Sequence, residues 1–539
     1  MTVHSEWWKK AVIYQIYPRS FKDTSGNGIG DLAGITQKIP YLAETLGIDA
    51  IWISPFYPSP MKDFGYDVAN YRDIDPVFGT LADFDKLLET IHKANLKLII
   101  DLVPNHSSDQ HPWFQESRSS KANLKRDWYV WEDAQNDGSP PNNWLSVFGG
   151  GAWEWDPSTE QYYLHSFLKE QPDLNWRNPQ VQDAIFGEVR FWLEKGVDGF
   201  RIDVAHFLMK DPELRDNPLN PSQSKSIHKP LGNYDTQIHL YDKGHADIHQ
   251  VYRDFRKLLD EYSKNQPRMS MGEIHIFDLD EWVLYYGENL DEIHFPINFT
   301  LLGAEWQAGQ IRDLVENLES SLPPGAWPNY VLANHDDQRI MSRYGKDAAR
   351  SAAMLLLTLR GTPVLYYGDE IGMKDVEIPP ELCLDPAGIR QEGQGRDPNR
   401  TPMQWTDEVW AGFSPPQTKK TWLPLADDYQ EINVKDQQND SDSILSYYRN
   451  LLKIRKQHPA LQTGDYHSLP EVPDGVYLYN RQNEEEQILI AINFTFHEQI
   501  VYLPDAESGT LLLSSLPGRA KIIKTPIILQ PNESILVLL

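Results

Sequence analysis

Apolar residues recur along the chain in two alternating rhythms. Short β-branched and aromatic runs end in polar or acidic residues, and segments with helical spacing separate them. The runs cover 12–18, 50–55, 97–106, 198–205, 269–275, 292–298, 330–336 and 363–370, and helical spacing spans 36–46, 82–94, 180–195, 248–263, 311–320, 348–360 and 443–458. Strand and helix in alternation predict parallel βαβ units. Eight runs that are apolar nearly throughout, as strands covered on both faces should be, predict an α/β protein built on a closed (β/α)8 TIM barrel.

Two intervals are too long for simple crossovers. The stretch 107–171, rich in Trp, Asn, Gly and Pro, predicts a lobe inserted after the third strand, and the polar stretch 373–440 predicts a second insertion after the eighth. Beyond 461 the pattern changes to short strands at 476–480, 487–493, 498–503, 510–513, 522–529 and 534–539, which predict a C-terminal all-β sandwich. The expected organisation is a barrel over 1–104 and 175–460, with its insertion at about 373–440, an inserted domain over 105–174 and a sandwich over 461–539.

Composition narrows the chemistry. The 539 residues suffice for a large core without staples, and the single cysteine, Cys383, excludes an internal disulfide framework and a cysteine-based zinc site. A net charge of −28 argues against nucleic acid, anionic lipid and phosphorylated substrates as a class and favours a neutral substrate. No apolar stretch reaches the ~18 residues of a membrane span, and the first 20 residues hold no apolar core for a secretory leader. The expectation is a soluble, cytoplasmic protein with no nucleic-acid or membrane partner; its oligomeric state, monomer or dimer, is not legible. Aromatic residues, 12% of the chain with 17 Trp and 26 Tyr, suit the apolar faces of sugar rings as well as a large core.

Polar residues gather where the strand candidates end: Asn105 and His106, Arg201 and Asp203, Glu273, His335 and Asp336. In a barrel those ends converge on one mouth, where so many charges in one cleft are costly unless they do chemistry. Paired carboxylates without an obvious metal cluster suggest glycoside hydrolysis, with one attacking the anomeric carbon and a protonated one serving the departing oxygen. The Arg201-x-Asp203 spacing puts both side chains on one strand face, so the guanidinium is expected to keep Asp203 ionised. Glu273, among apolar neighbours in MSMGEIHIF, is expected to be kept protonated by desolvation.

These residues carry a resemblance. DLVPNH (101–106), GFRIDVAHF (199–207), GEIH (272–275) and ANHDDQR (333–339) are similar to the four signature regions of glycoside hydrolase family 13, the α-amylase family. QPDLN (171–175), VIYQIYPRSFKDTSGNGIGDLAGI, DFGYDVANY, NRTPMQW and PVLYYGDEIG resemble its α-glucosidase and oligo-1,6-glucosidase branch. The resemblance spans essentially the whole chain. It implies Asp203 as nucleophile, Glu273 as general acid/base and Asp336 as transition-state stabiliser, with Arg201 supporting the nucleophile and His106 and His335 binding sugar hydroxyls. Asp63, Tyr66 and Arg400 match residues that close the far end of the pocket, an Asp–Arg pair there blocking longer chains. Phe148 and Phe167 are candidate pocket walls. Val204, next to the nucleophile, matches the residue that goes with α-1,6 activity in related enzymes.

The loop 23–31 offers spaced oxygen donors and permissive glycines, chemistry that suits a hard cation. In related α-glucosidases this loop binds calcium or magnesium, which implies Asp23, Ser25, Asn27, Ile29 through its carbonyl, and Asp31 as ligands of a structural ion; no cofactor is expected for catalysis. The expected activity is a retaining exo-α-glucosidase acting on short neutral α-glucosides of maltose, isomaltose or sucrose type, with transglucosylation. Two alternatives use the same scaffold: a dedicated transglucosidase or sucrose isomerase, and a non-catalytic amylase-like subunit.

Overall fold

The structure, a computed structural model, describes residues 6–222, 229–391, 393–469, 471–504 and 506–539, so the first five residues of the stretch read for a leader lie outside it. Eight parallel strands form the central sheet: β1 (Ile13–Ile16), β2 (Ala50–Ile53), β3 (Lys97–Leu102), β4 (Gly199–Ile202), β5 (Met269–Glu273), β6 (Phe295–Ile297), β7 (Asn329–Val331) and β8 (Thr362–Tyr366). Their order is β7-β8-β1-β2-β3-β4-β5-β6. The ring is completed between β6 and β7 by a side chain: Asn329 Nδ2 donates to the Pro296 carbonyl at 3.1 Å and its Oδ1 accepts from the Asn298 amide at 2.8 Å. The strands are buried almost throughout, as a sheet covered by helices requires.

Each strand is shorter than its apolar run. The register places Asp101 beside Arg201, and Arg201 in turn beside Met271, so the last residues of β3, β4 and β5 reach the mouth together. Residues beyond the strand ends remain buried because they line that mouth, and this continued burial is what lengthened the apolar runs. The crossover helices have explicit ends. Leu81–Lys93 starts from a Thr80–Asp83 capping box, and Pro179–Lys195 starts from Asn178 and stops at Gly196, whose φ of +107° suits a residue without Cβ.

After β3 the chain builds a helix, Pro112–Ser119, and a small antiparallel sheet with Gln161–Leu164 between Trp131–Glu132 and Trp153–Asp156. The segment after β8 has only short helical turns and packs on the first loop, where the Asp23 amide donates to the Phe413 carbonyl and the Trp422 amide to that of Gly28, each at 2.9 Å. At the C-terminus a six-stranded antiparallel sheet faces a two-stranded ribbon, Gln499–Val501 with Ile527–Leu529. Alternation divides its burial: Val476, Leu478, Leu489 and Val537 fill the space under the ribbon, while Tyr477, Tyr479, Ile488 and Leu536 join the barrel's core. Two buried arginines fasten this junction. Arg455 donates to the carbonyls of Leu357, Gly361 and Leu461, and Arg481 to those of Thr358, Leu461 and Gly464.

Candidate active site

The C-terminal ends of the barrel strands and the loops behind them form a pocket open to solvent on one side. Asp63, Tyr66, His106, Phe148, Phe167, Asp203, Val204, Glu273, His335 and Asp336 all line it. Arg201 lies beneath them, 2% exposed. Its Nη1 donates to Asp101 Oδ1 at 2.6 Å and Asp203 Oδ1 at 2.8 Å, while Nη2 donates to Glu273 Oε2 at 2.5 Å. One guanidinium therefore holds carboxylates from three adjacent strands, and Asp203 and Glu273 sit on its two terminal nitrogens.

This sharing reverses both electrostatic expectations. Burial pushes Asp203 well above the usual carboxylate range; Arg201 opposes it, while Glu273 and Asp101 add to it. Burial acts on Glu273 too, but Arg201 and His275 outweigh it and hold the acid low. His275 Nε2 lies 2.8 Å from Glu273 Oε1, and the Val204 amide donates to Oε2 at 2.9 Å. Sequence neighbours alone suggested an apolar Glu273; its polar partners arrive from β4 and from the residue two positions on.

The histidines are neutral. Burial pulls His106 down to about 4 and His335 to about 3. The Gln15 amide donates to His335 Nδ1 at 2.8 Å, so Nε2 carries the proton and faces Tyr66 Oη at 2.7 Å, the two rings stacking 5.5 Å apart. The Gln171-to-Asp173 stretch clamps the inserted lobe over the pocket. Gln171 Nε2 donates to Asp63 Oδ2 at 3.1 Å, and Lys210 bridges Asp173 at 2.6 Å and Asn105 at 2.7 Å.

The closing arginine is corrected. Arg400 does not bond Asp63; its Nη2 donates to Asp336 Oδ1 at 2.8 Å and its Nε to the His335 carbonyl at 2.7 Å, from behind the pocket wall. The partner of Asp63 is Arg396, whose Nη2 donates to Asp63 Oδ1 at 2.8 Å and whose Nη1 donates to Asp336 Oδ1 at 3.1 Å, with its guanidinium over the Phe148 ring. Although burial acts against it, His335, Arg396 and Arg400 keep Asp336 well below its usual range. Sequence reasoning missed Arg396, four residues before Arg400 in GRDPNR, together with Asp101, Asp385, His206 and Lys243; of these Asp101 and His206 carried a signal, lying in DLVPNH and GFRIDVAHF.

The loop 23–31 stands apart from this pocket. Asp23 Oδ1 accepts from the Ser25 amide and hydroxyl and the Gly26 amide, and Oδ2 from the Gly28 amide and Ser414. Asp31 caps the helix Leu32–Pro40 by accepting from Gly34, and Asn27 Oδ1 accepts from the Ile29 amide. The donors are oxygens only, the chemistry a hard cation takes, and those of the Asp23, Ser25, Asn27 and Asp31 side chains are engaged by N–H or O–H groups of the loop and its flanks.

A pocket at the C-terminal face of a barrel, lined by carboxylates around one arginine and walled by aromatic rings, defines a carbohydrate-active barrel enzyme. The comparisons give the family: residues 15–464 match the alpha-amylase catalytic domain, and the chain belongs to that glycoside hydrolase family. It is 44% identical over 514 residues to a probable alpha-glucosidase of Rhizobium meliloti (strain 1021), covering 93% of this chain and 91% of that one. It is 39% identical over 537 residues to the oligo-1,6-glucosidase of Parageobacillus thermoglucosidasius, covering 93% and 92%. Among solved structures it is similar to the alpha-glucosyl transfer enzyme XgtA, with a TM-score of 0.92 at 42% identity and 99% of each chain covered. The trehalulose synthase MutB superposes with a TM-score of 0.90 at 35% identity, covering 99% of this chain. The protein is a glycoside hydrolase.

Proposed function

We propose that the protein is a retaining, exo-acting α-glucosidase of short oligosaccharides, with transglucosylation as a side activity. The observation that carries this reading is the pair of carboxylates, Asp203 and Glu273, held on the two terminal nitrogens of one guanidinium at 2.8 and 2.5 Å, an arrangement that favours the closely spaced pair of a retaining enzyme. Asp203 attacks the anomeric carbon and forms a covalent glucosyl-enzyme. The pair shares one proton: with Asp203 ionised for the attack the proton is on Glu273, which gives it to the glycosidic oxygen as the bond to the leaving group breaks. A water or a second sugar then reverses the steps. Asp336 stabilises the oxocarbenium-like transition state, and His106 and His335 hold hydroxyls. Asp63 and Arg396 close the far end, so only a terminal glucose fits.

Anomer-resolved NMR of the first product tests this: α-glucose is expected from an α-glucoside, and initial β-glucose overturns the double displacement. Asp203→Ala is expected to abolish turnover in a folded protein. The transferase reading keeps the same covalent intermediate and is favoured by the likeness to XgtA and MutB; concentrated sucrose or maltose separates the two by product. A calcium or magnesium ion on the first loop is a further part of the proposal, held by Asp23, Ser25, Asn27, Asp31 and the Ile29 carbonyl and serving only stability. Chelation is expected to lower the melting temperature, and an unchanged transition assigns the loop to its hydrogen bonds alone.

A further inference from the structure

The pocket is electrically divided. Asp63 and Asp336 share Arg396, whereas on the Glu273 side contacts run from Glu273 through His275, His206 and Phe207 to Lys243, with Tyr234 and Lys229 lining the same pocket. The carboxylates on that side are already engaged: Glu273 by Arg201 and His275, and Asp337 by Lys229, whose Nζ lies 3.4 Å from Oδ1. Lys229 is committed further, donating to the Asp336 carbonyl at 2.5 Å.

Lys243 is not committed. Its Nζ lies 5.2 Å from the centroids of both Phe207 and Tyr234, half-buried between two aromatic faces. Among the described residues no carboxylate comes within ion-pair distance and no acceptor within hydrogen-bond distance of it. The nearest acids act only at longer range: Asp242 is bonded to His239 at 2.6 Å, and the Asp235 carboxylate accepts from the Leu231 amide. Beside it, His206 is fully buried, its ring edge-on to Phe207, and neither ring nitrogen makes a well-formed hydrogen bond in the protein. A cation kept out of water without an acidic partner is costly, and an ammonium between rings retains its hydrogen-bonding capacity along the open direction, toward the pocket.

We infer that Lys243, flanked by His206, receives an anionic substituent on the leaving-group half of the substrate, so that the enzyme prefers α-glucosides of acidic aglycones, carboxylated or phosphorylated, over their neutral counterparts. This rests on the glucosidase reading and refines its substrate class. The negative charge of the whole molecule does not oppose it: exposed charges beyond ~8–10 Å are screened at physiological salt, whereas the ammonium meets the anion directly.

Matched substrates test it. Maltitol and maltobionate differ only in carrying a hydroxymethyl or a carboxylate at one end of the open-chain unit, and glucosylglycerol with its phosphate ester supplies the phosphoryl pair. The wild type is expected to favour the anion in kcat/KM by roughly tenfold or more, as a charge-assisted hydrogen bond supplies, with the larger preference showing which acid is used. Lys243→Met should collapse that ratio toward one, Lys243→Arg should restore most of it, and added salt should shrink it. A wild-type ratio near one in both pairs, or a ratio that Lys243→Met leaves intact, overturns the inference. Turnover of 4-nitrophenyl α-glucoside separates the two levels: its absence brings down the glucosidase reading and this inference with it, while turnover with flat ratios brings down this inference alone.

Discussion

Val204 has a backbone that its side chain resists: φ is +36° and ψ 49°, a left-handed conformation that costs a β-branched residue ~1–3 kcal/mol. What holds it there is visible. The turn delivers the Val204 amide to Glu273 Oε2 and packs the isopropyl group against Phe148, Phe167 and Phe207. It is therefore not a strand residue, since β4 ends at Ile202. Replacing Val by Thr keeps the shape but sets a hydroxyl among phenyl rings, and an unmet hydroxyl costs ~1–3 kcal/mol or reorders nearby water. Because an α-1,6 linkage positions the second ring differently over this wall, Val204→Thr is expected to lower the isomaltose-to-maltose ratio of kcat/KM about tenfold. Parallel progress curves on the two disaccharides decide it; an unchanged ratio means Val204 sets no linkage. At this scale the motifs located most lining residues, yet the protonation order of Asp203 and Glu273 was illegible. It depends on how one arginine divides itself among Asp101, Asp203 and Glu273, residues that only the barrel register brings together.

The segment from Asp385 to Arg400 acts as one element. Asp385 is wholly buried and accepts from Arg396 three ways: its Oδ2 from the backbone amide at 2.7 Å, its Oδ1 from Nη2 at 2.6 Å, and both oxygens from Nε at 3.1 Å. That grip leaves the guanidinium's edge free for Asp63 and Asp336. The single helical turn Asp397–Asn399 then carries Arg400 behind the wall, where it donates to the same Asp336 Oδ1 that Arg396 meets. Spacing in a sequence cannot say which of two arginines four residues apart meets the pocket; the turn between them decides. Asp385→Asn keeps the volume but removes the charge that fixes Arg396, so the fork should swing loose. Terminal-glucose binding is expected to weaken with KM rising roughly tenfold and kcat changing little, because the contact serves ground and transition state alike. Initial rates on maltose measure this split, and an equal loss in kcat at constant KM argues that Asp385 acts in the transition state instead.

Across the whole molecule, the barrel and the C-terminal β domain were legible because burial on both strand faces writes long apolar runs, whereas the closing contact of Asn329 between β6 and β7 and the Arg455 and Arg481 junction leave no periodic trace. The same dense burial sets the response to acid. His106 and His111 are pulled down to about 4 and His335 to about 3, all chiefly by burial. Unfolded histidine titrates near 6.5, so between about 6.5 and 4 the unfolded chain binds protons that these sites refuse, and each site costs stability as the pH falls. Buried acids act with the opposite sign. Burial raises Asp67 to about 6 and Asp369 to about 7, against ~3.9 unfolded, so in the same window the folded form holds protons that the unfolded chain has released. The two sets oppose each other, so the net dependence on pH is smaller than either set alone would give. Removing one side unbalances it. His106→Gln takes away one refused proton, and its stability relative to wild type should rise as pH falls, by ~1.4 kcal/mol per pH unit within the window. Asp369→Asn should fall relative to wild type over the same range. Urea unfolding at several pH values measures both slopes; parallel curves for the wild type and both variants would mean that neither group titrates differently in the folded and unfolded chains.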